Sequence, residues 1–410
     1  MNREQISEVI INNLNKIQSI NESTTADVGT FPMMATSMIK QTIAKSVLPE
    51  ITSFIPISSP ESKVYFSSSY YAKDNESYSS MRVLQVNTTA GITAGSTYTT
   101  SSGASIRVDF IDIGQILIYI ISGTVSANDT FLTGSVTIQN VFSSRIVIKK
   151  IMSQYSKNIS ETGTPLELKH DVISLDIVTE TRKIKSTITQ EFIKDLMTQM
   201  GVSAEEFIVE IITKEVLEEM ENTIFNYMHT IATQATPLLL SDNSGTRDKI
   251  YVFSDIYTRI LEEVQKISQL TGRNMSAFIV TDAKNIGALL ASGAFTITKD
   301  GDASSQNGFQ HSNYIGRIMG LIDVYQNDFP AYSQEILVGY KSKSHTVGDA
   351  GIVFCPYVIQ TSFATDPDSG QEHLNVFVRY GFGRNVFDEA ITGSYYFTKF
   401  TVDYTNVSGY

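Results

Sequence analysis

The chain contains no tryptophan and only one cysteine, Cys355, among its 410 residues. A single cysteine excludes an internal disulfide framework and a zinc site built from several thiolates. Cys355 precedes Pro356 and the apolar residues 357–359, and no basic side chain adjoins it to lower the pKa of its thiol. We therefore expect a buried, unreactive thiol on a strand that Pro356 bulges or breaks, and not a catalytic nucleophile.

Positive charge and long apolar runs are also scarce. The net charge is -12, and the densest basic stretch is only Arg182–Lys185. Since phosphate binding needs clustered Lys and Arg, this balance opposes a specific nucleic-acid binder. The apolar run Ile116–Ile121 is far shorter than the roughly 20 residues of a membrane helix. The first 20 residues carry dispersed charges and amides, so we expect neither a secretory signal nor a membrane span.

Motifs of known active sites are missing as well. Gly381-Phe382-Gly383 has no third glycine for a dinucleotide loop. Asp366–Gly370 lacks the spaced ligands of a calcium loop and is better interpreted as a turn. No phosphate-loop or Gly-x-Ser-x-Gly motif occurs. The histidines show no paired metal-ligand spacing; they are His170, His229, His311, His345 and His373. We expect no catalytic residue, metal or cofactor, and therefore no enzyme.

The clearest predicted element is a long amphipathic helix over Ser203–Ala235. Its apolar residues recur every three or four positions; they are Val209, Ile212, Val216, Met220, Ile224, Tyr227 and Ile231. Ser203 and Glu206 have capping-box spacing, and Pro237 ends the pattern. At 1.5 Å per residue the helix is about 50 Å long, which suggests a beam spanning a flat domain. We expect its acidic residues, including Glu221, to lie on a solvated face.

Shorter helices and many strands complete an α+β pattern. Helices are predicted over residues 6–17, from Pro32 to a stop at Pro49, over Ser254–Gly272, and after a cap at Asp282. Most of the remaining carboxyl-terminal part is strand-like and punctuated by Gly, Asp and Pro.

Residues 74–165 have a different composition, rich in Ser, Thr, Gly and β-branched residues. Strands are predicted at Ser105–Ile121 and Gly134–Ile151. The segment is interpreted as a long extended β excursion. An enclosed globular subdomain remains the alternative, because the segment is long enough to fold partly on its own core.

Several motifs, taken in order, carry a resemblance to one family. They are "ATSMIKQTIAKSVLPEITSFIPISSPESKVYF", "TETRKIKSTITQEFIKDLMTQMGVSAEEFIVEIITKEVLEEMENTI", "EEVQKISQLTGRNMSAFIVTDAKNIGALLAS", and the landmarks "VGYK", "DAG", "PY", "DP" and "RYG". Read together, they resemble the major capsid proteins of T-even-type myoviruses, which are tailed bacteriophages with the HK97-like fold. The resemblance covers most of residues 32–388 and is weakest over 74–165.

The resemblance implies a division of the chain into parts. These are an amino-terminal arm (1–31), the first part of a peripheral domain (32–73), an extended β loop or insertion (74–165), the peripheral domain with the spine helix (166–240), an axial domain (241–350), and strands returning to the peripheral domain (351–410).

The resemblance also implies a function. We expect a major capsid protein that self-assembles into hexamers, with pentamers as a further state, to form an icosahedral or prolate head shell around double-stranded DNA. The implied partners are other copies of the chain and scaffold, portal, vertex and decoration proteins. The implied location is the virion capsid, assembled in the host cytoplasm. Family members are often trimmed by a prohead protease after a Leu/Ile-x-Glu triplet, and Glu22 ends one such triplet, although Glu8 and Glu50 end others.

Three alternative functions remain open at this stage. A pentameric vertex protein of the same family shares the fold and differs in its loops. A nanocompartment shell protein shares the fold too, and needs an inner surface that binds cargo. An enzyme bearing a β domain at 74–165 needs an acid/base constellation, and the sequence offers none.

Overall fold

The computed structural model describes most of the chain. The described residues are 6–13, 46–72, 78–112, 114–132, 134–143, 147–153, 167–188, 191, 198, 204–242, 248–293, 295–296, 314–327, 330–342, 349–365, 372–388, 390 and 393–407. Several sequence predictions lie outside them: residues 14–17 of the first helix, the cleavage position Glu22, the helix over 32–45, the cap at Ser203, the histidines His311 and His345, and the turn at Asp366–Gly370.

Helices and strands alternate irregularly along the chain. The helices are α1 (6–13), α2 (Leu48–Ile51), α3 (147–153), α4 (Ala204–Ile231), α5 (Lys249–Thr271) and α6 (Ala283–Ala291). The strands are β1 (Ser53–Phe54), β2 (Glu61–Ala72), β3 (Met81–Val86), β4 (Thr97–Thr99), β5 (Ser105–Asp112), β6 (Gln115–Ser122), β7 (Thr130–Phe131), β8 (Val136–Phe142), β9 (Glu167–Val178), β10 (Glu180–Ile188), β11 (Thr233–Gln234), β12 (Leu238–Ser241), β13 (Ala277–Thr281), β14 (Phe295–Thr296), β15 (Tyr314–Ile318), β16 (Ile322–Gln326), β17 (Glu335–Tyr340), β18 (Ile352–Thr365), β19 (Glu372–Arg384) and β20 (Phe397–Asn406). The predicted α+β class is confirmed.

The long helix α4 packs with a four-stranded sheet of order β1-β18-β19-β10. The predicted stripe is confirmed at its described positions: Ile212, Val216, Met220 and Ile224 are buried, and Tyr227 and Ile231 are half-buried against the same core. With 28 residues, α4 is about 42 Å long. It ends at Ile231, before the predicted end, because Thr233 and Gln234 pair in parallel with β20 instead.

Glu221 is a correction to the predicted solvated face of α4. Its side chain is buried, and its Oε1 accepts a hydrogen bond from the backbone N–H of Val47 at 2.9 Å. Val47 precedes α2, so a carboxylate lies at the start of that helix, where it is favourable. Pro49 stands in the first turn of α2, where its fixed φ suits a helix start, so the prediction that Pro49 stops a helix is wrong.

A second sheet has the order β11-β20-β17-β13-β16-β15-β14, with β12 also pairing with β20. Helices α5 and α6 accompany it. Gly272 ends α5 with φ 65°, and the side chain of Asp282 accepts a hydrogen bond from the backbone N–H of Asn285 to cap α6, as predicted. Helix α5 begins after Asp248, which caps it, earlier than the predicted start at Ser254.

Residues 81–142 form a separate six-stranded antiparallel sheet, which we call the insert, of order β4-β5-β6-β3-β8-β7. One face buries Leu84, Ile106, Ile118 and Ile138 among others, and the opposite face packs against α3 through residues such as Ile148. The insert thus has apolar cores on both faces, and the globular alternative describes residues 81–142 better than an extended excursion does.

Two strand predictions within this region are wrong in extent. The segment Ser105–Ile121 is two strands, because the chain turns at Gly114, which has φ 70°. The segment Gly134–Ile151 is strand β8 followed by helix α3, whose residues Val147, Ile148 and Ile151 are buried at helical spacing.

Candidate assembly surface

The strands β2 and β9 pair with each other in a two-stranded antiparallel ribbon, which we call the arm. Each strand has 12 residues, so the arm is about 40 Å long. The pairing runs from Glu61 opposite Val178 to Ala72 opposite Glu167. The insert therefore connects to the end of the arm that is formed by Ala72 and Glu167.

One face of the arm presents apolar side chains to solvent. Tyr65 is 66% exposed, Val172 is 68% exposed and Val178 is 66% exposed, and Leu168 is also exposed. These residues share a face because side chains alternate along a strand and Tyr65, Ser67 and Glu61 pair with Ser174, Val172 and Val178. The same face carries the ion pair of Lys63 and Asp176.

The other face of the arm lies against β19 at two glycines. A Cβ on Gly381 would stand 2.5 Å from Cγ2 of Ile177 and 2.9 Å from the carbonyl oxygen of Val178. A Cβ on Gly383 would stand 3.1 Å from Cδ1 of Ile177. The Gly-x-Gly pattern is therefore a contact, which we call the glycine seat, where β9 crosses β19 closely.

Further contacts hold the arm and the insert to the rest of the chain. The ring of Phe66 meets that of Phe387 edge-on, with centroids 5.9 Å apart. The hydroxyls of Ser143, after β8, and Tyr395 are 2.8 Å apart. Lys149 on α3 donates a hydrogen bond to Ser69 on the arm.

The sole cysteine has the surroundings expected of a packed thiol. Cys355 on β18 is fully buried, and burial raises its pKa to about 12. Pro356 produces the predicted irregularity, since the register of β18 against β19 shifts between Pro356 and Val358. A thiol with so high a pKa is a poor nucleophile at neutral pH.

Within the described residues, no three His, Cys, Asp or Glu side chains come close enough together to hold a metal ion. His170 lies on the arm and His373 bonds with Thr187 across the β10–β19 pair, at 3.1 Å. None of the described helices is long and apolar enough to cross a membrane.

Buried His229 joins the end of α4 to the second sheet. Its ring stacks on Tyr332 at 3.9 Å, and its Nδ1 lies 3.5 Å from Oε1 of Glu335. Lys399 approaches the same oxygen to 3.3 Å. Burial alone would raise the pKa of Glu335, but attraction by His229 and Lys399 outweighs it and lowers that pKa. The cluster is a structural joint between α4, β17 and β20.

Two of the sequence landmarks, "VGYK" and "DAG", meet at one polar corner. Asp349 pairs with Arg273 and accepts a hydrogen bond from Nδ2 of Asn385 at 3.0 Å. Lys341 donates to the carbonyl of Thr52, and burial lowers its pKa to about 8. These residues link β17, β18 and the segment before β1, so the landmarks have a packing role.

Comparison with known proteins identifies the family. The family model described as major capsid protein Gp23 matches residues 28–405. The chain belongs to this family. Membership confirms the resemblance found in the sequence, and with it the HK97-like fold that the resemblance implies.

The individual relatives have low sequence identity to this chain. It is 26% identical over 233 residues to the major capsid protein of Enterobacteria phage T6, an alignment covering 52% of this chain and 46% of the relative. It is 22% identical over 396 residues to that of Vibrio phage KVP40, covering 85% and 75%. The aligned part spans about half the length of the T6 protein. Among solved structures, the capsid of an empty GTA particle has a TM-score of 0.40 and 10% identity, covering 88% of this chain and 90% of that one.

The sequence did not predict the arm or the glycine seat. It placed the extended β element within 74–165, whereas the two strands of the arm lie on either side of that segment. It set aside Gly381 and Gly383 as a failed cofactor motif. The available signal was a pair of glycines at i and i+2 on one strand, which marks close approach of another backbone.

Proposed function

We propose that this protein is a shell subunit whose copies associate through the arm into hexamers, with pentamers as a further state, that enclose double-stranded DNA in a phage head. The exposed apolar face of the arm is the observation that carries this proposal. A two-stranded ribbon is marginally stable in water unless other elements cover it, and in the described residues one face of the arm lies against β19 while the other is exposed.

The arm fits a contact with another copy of the chain. Its exposed face combines Tyr65, Leu168, Val172 and Val178 along a ribbon of about 40 Å. Covering these apolar side chains on association is favourable, which supports a contact between the arm and another protein surface. A contact between the arm and a different surface of the next copy is heterologous, and such contacts repeat around a ring until it closes.

The charge of the chain is compatible with enclosing DNA without binding it by sequence. With a net charge of -12, the protein as a whole repels phosphates, so contact with packaged DNA is not favoured by general electrostatics.

Hexamer and vertex roles differ in copy number per particle, which quantitative mass spectrometry of purified particles measures. A major shell protein is the most abundant structural chain.

The decisive experiment replaces one exposed side chain of the arm. Val172→Asp puts a charge where we expect a buried contact, so shells, tubes and rings should be lost in negative-stain electron microscopy and light scattering while the monomer unfolds at the same temperature as the unmodified protein. Ile121→Asp is the matched control, because Ile121 is a similarly exposed apolar residue on the insert. It should assemble normally.

Normal assembly of the Val172→Asp chain would exclude the arm as the contact. A compact monomer from the unmodified chain, persisting with every expected assembly partner co-expressed, would overturn the shell function itself. The two failures are distinguishable because the first leaves shells on the grid and the second leaves none for any variant.

A further inference from the structure

The basic stretch 182–185 lies on strand β10, where its side chains divide between the two faces of the four-stranded sheet. Side chains alternate along a strand. Arg182 points towards α4, where its Nε lies 3.8 Å from Oε1 of Glu219. Lys183 and Lys185 therefore lie on the opposite face of the sheet, and both are exposed.

The neighbouring strand β19 adds a third cation to this face. Thr181 pairs with Arg379, and Lys183 pairs with Phe377. Nε of Arg379 donates to the hydroxyl of Thr181 at 3.0 Å, and Nζ of Lys183 lies 5.5 Å from the centre of the Phe377 ring. Arg379 is exposed as well. We call this surface the basic face; its residues are Thr181, Lys183, Lys185, Thr187, His373, Asn375, Phe377 and Arg379.

The permanent charges of the basic face all have one sign. Among its described side chains, Lys183, Lys185 and Arg379 are cations and none is a carboxylate. The contacts of Lys183 and Arg379 are with an aromatic ring and a hydroxyl, neither of which carries a negative charge. Acidic residues outnumber basic ones in the whole chain by 43 to 31, so this face is a local exception to the net charge.

The other side chains of the basic face indicate the kind of partner. Its one large apolar residue, Phe377, lies beneath Lys183. Protein interfaces bury an apolar core, whereas nucleic-acid interfaces are more polar and more positive. Hydroxyl and amide groups, here those of Thr181, Thr187 and Asn375, also donate to phosphate oxygens. The face therefore fits a row of phosphates better than an acidic protein surface.

The spacing of the cations also fits a phosphate backbone. Because Arg379 lies opposite Thr181, the charges extend along β10 from the level of Thr181 to Lys185. That distance is about 14 Å at roughly 3.4 Å per residue. Each strand of double-stranded DNA carries a phosphate about every 3.4 Å along the helix axis. The three cations can thus each meet a different phosphate without contacting a base.

We propose that the basic face contacts the phosphates of the double-stranded DNA that the shell encloses, without reading its sequence. This inference rests on the proposed function, because the enclosed DNA is the partner. The contact is weak, since the net charge of -12 repels phosphates from the chain as a whole. The same repulsion leaves the basic face as the preferred point of approach.

The first test titrates a short fluorescent DNA duplex with the full chain at several salt concentrations and measures anisotropy. Three phosphate contacts give a slope of about -2.7 in a plot of the logarithm of the association constant against that of salt. Lys183→Gln combined with Lys185→Gln should bring the slope to about -0.9, because only Arg379 remains.

The matched control is Lys214→Gln combined with Lys249→Gln, which changes the net charge equally at exposed positions of α4 and α5. Its slope should stay near that of the unmodified chain. Equal losses for the two pairs would show that net charge alone governs binding, and would overturn the proposal. No binding by the unmodified chain, even at the lowest salt concentration, would overturn it too.

The second test asks whether the basic face meets DNA inside the particle. Thr187→Cys introduces an exposed thiol on this face, and Cys355, the only native cysteine, is buried. A benzophenone attached to the new thiol should, on illumination of DNA-filled particles, capture nucleotides that mass spectrometry detects after nuclease digestion. Ala94→Cys, at an exposed position of the insert, is the control and should capture far fewer.

Capture of a protein chain instead of nucleotides would assign the basic face to an acidic protein surface and overturn the proposal. Equal nucleotide capture at the two positions would also overturn it. Both results come from particles that have formed, so they leave the shell function intact. If no particles form, the shell function fails, and the duplex titration still decides whether the basic face binds phosphates.

Discussion

The arm and the insert are two antiparallel β regions with opposite relations to solvent. Of the described side chains of the arm, only Val64 and Ile177 are buried. The insert, by contrast, buries residues on both faces of its sheet, including Ile106 and Ile118 on one face and Leu117 on the other. One region therefore provides its own core, and the other does not.

The difference shows that β pattern alone does not determine burial. Both regions alternate polar and apolar residues. In the insert, α3 and the loops cover the apolar side chains, whereas within the described part of the chain nothing covers the apolar side chains on the exposed face of the arm. An exposed apolar ribbon is stabilised when it is covered. The arm is therefore the region whose order we expect to depend on assembly.

The largest effect is expected from a substitution that destabilises the core of the insert. Ile118→Asp places a charge at a fully buried position of β6, and should cost more than about 4 kcal/mol of unfolding free energy for the insert. Limited proteolysis should then cut within residues 81–142. The matched control Ile121→Asp lies three residues further along the same strand at an exposed position, and should resist cleavage like the unmodified chain. If both variants resist equally, the insert does not depend on this core.

A smaller effect is expected at the glycine seat. Gly381→Val forces side-chain atoms into Ile177 and the backbone of Val178, which should cost about 1–3 kcal/mol or displace the arm. Hydrogen exchange should accelerate at amides of β2 and β9 and stay unchanged in the insert. Gly383→Ala should have a weaker effect, because its Cβ meets only the flexible end of Ile177 at 3.1 Å and Leu175 at 3.3 Å. Unchanged exchange in the Gly381→Val arm would mean that the seat does not hold it.

The smallest expected effect concerns the ion pair on the arm. The side chains of Lys63 and Asp176 are 58% and 70% exposed, so their attraction is screened by water and salt. Lys63→Ala should change the unfolding free energy by less than about 0.5 kcal/mol, as read from the urea midpoint. A larger loss would show that this exposed face is more ordered in the single chain than its accessibility indicates.

Elements governed by local chemistry were predicted well. The stripe along α4, the cap at Asp282 and the left-handed Gly272 follow from periodicity and terminal residues, and all three are present. Cys355 was predicted as a buried thiol because its neighbours are apolar. In each case the deciding residues lie within one or two turns of one another.

Elements governed by distant contacts were not predicted. Pairing of β2 with β9 joins segments on either side of the insert, and the sequence of neither strand indicates which strand it pairs with. The early end of α4 reflects the pairing of Thr233 with β20, far along the chain. The exposure of one face of the arm could not be predicted for the same reason. Local alternation predicts which side chains share a face, but not what covers that face.

The glycine seat holds the arm near one of its ends. Over about 40 Å, a tilt of roughly 7° at that end moves the far end by about 5 Å, which equals the spacing between paired strands. In the proposed assembly, the close contact at Gly381 therefore limits how far the distant end of the arm can shift relative to a neighbouring subunit.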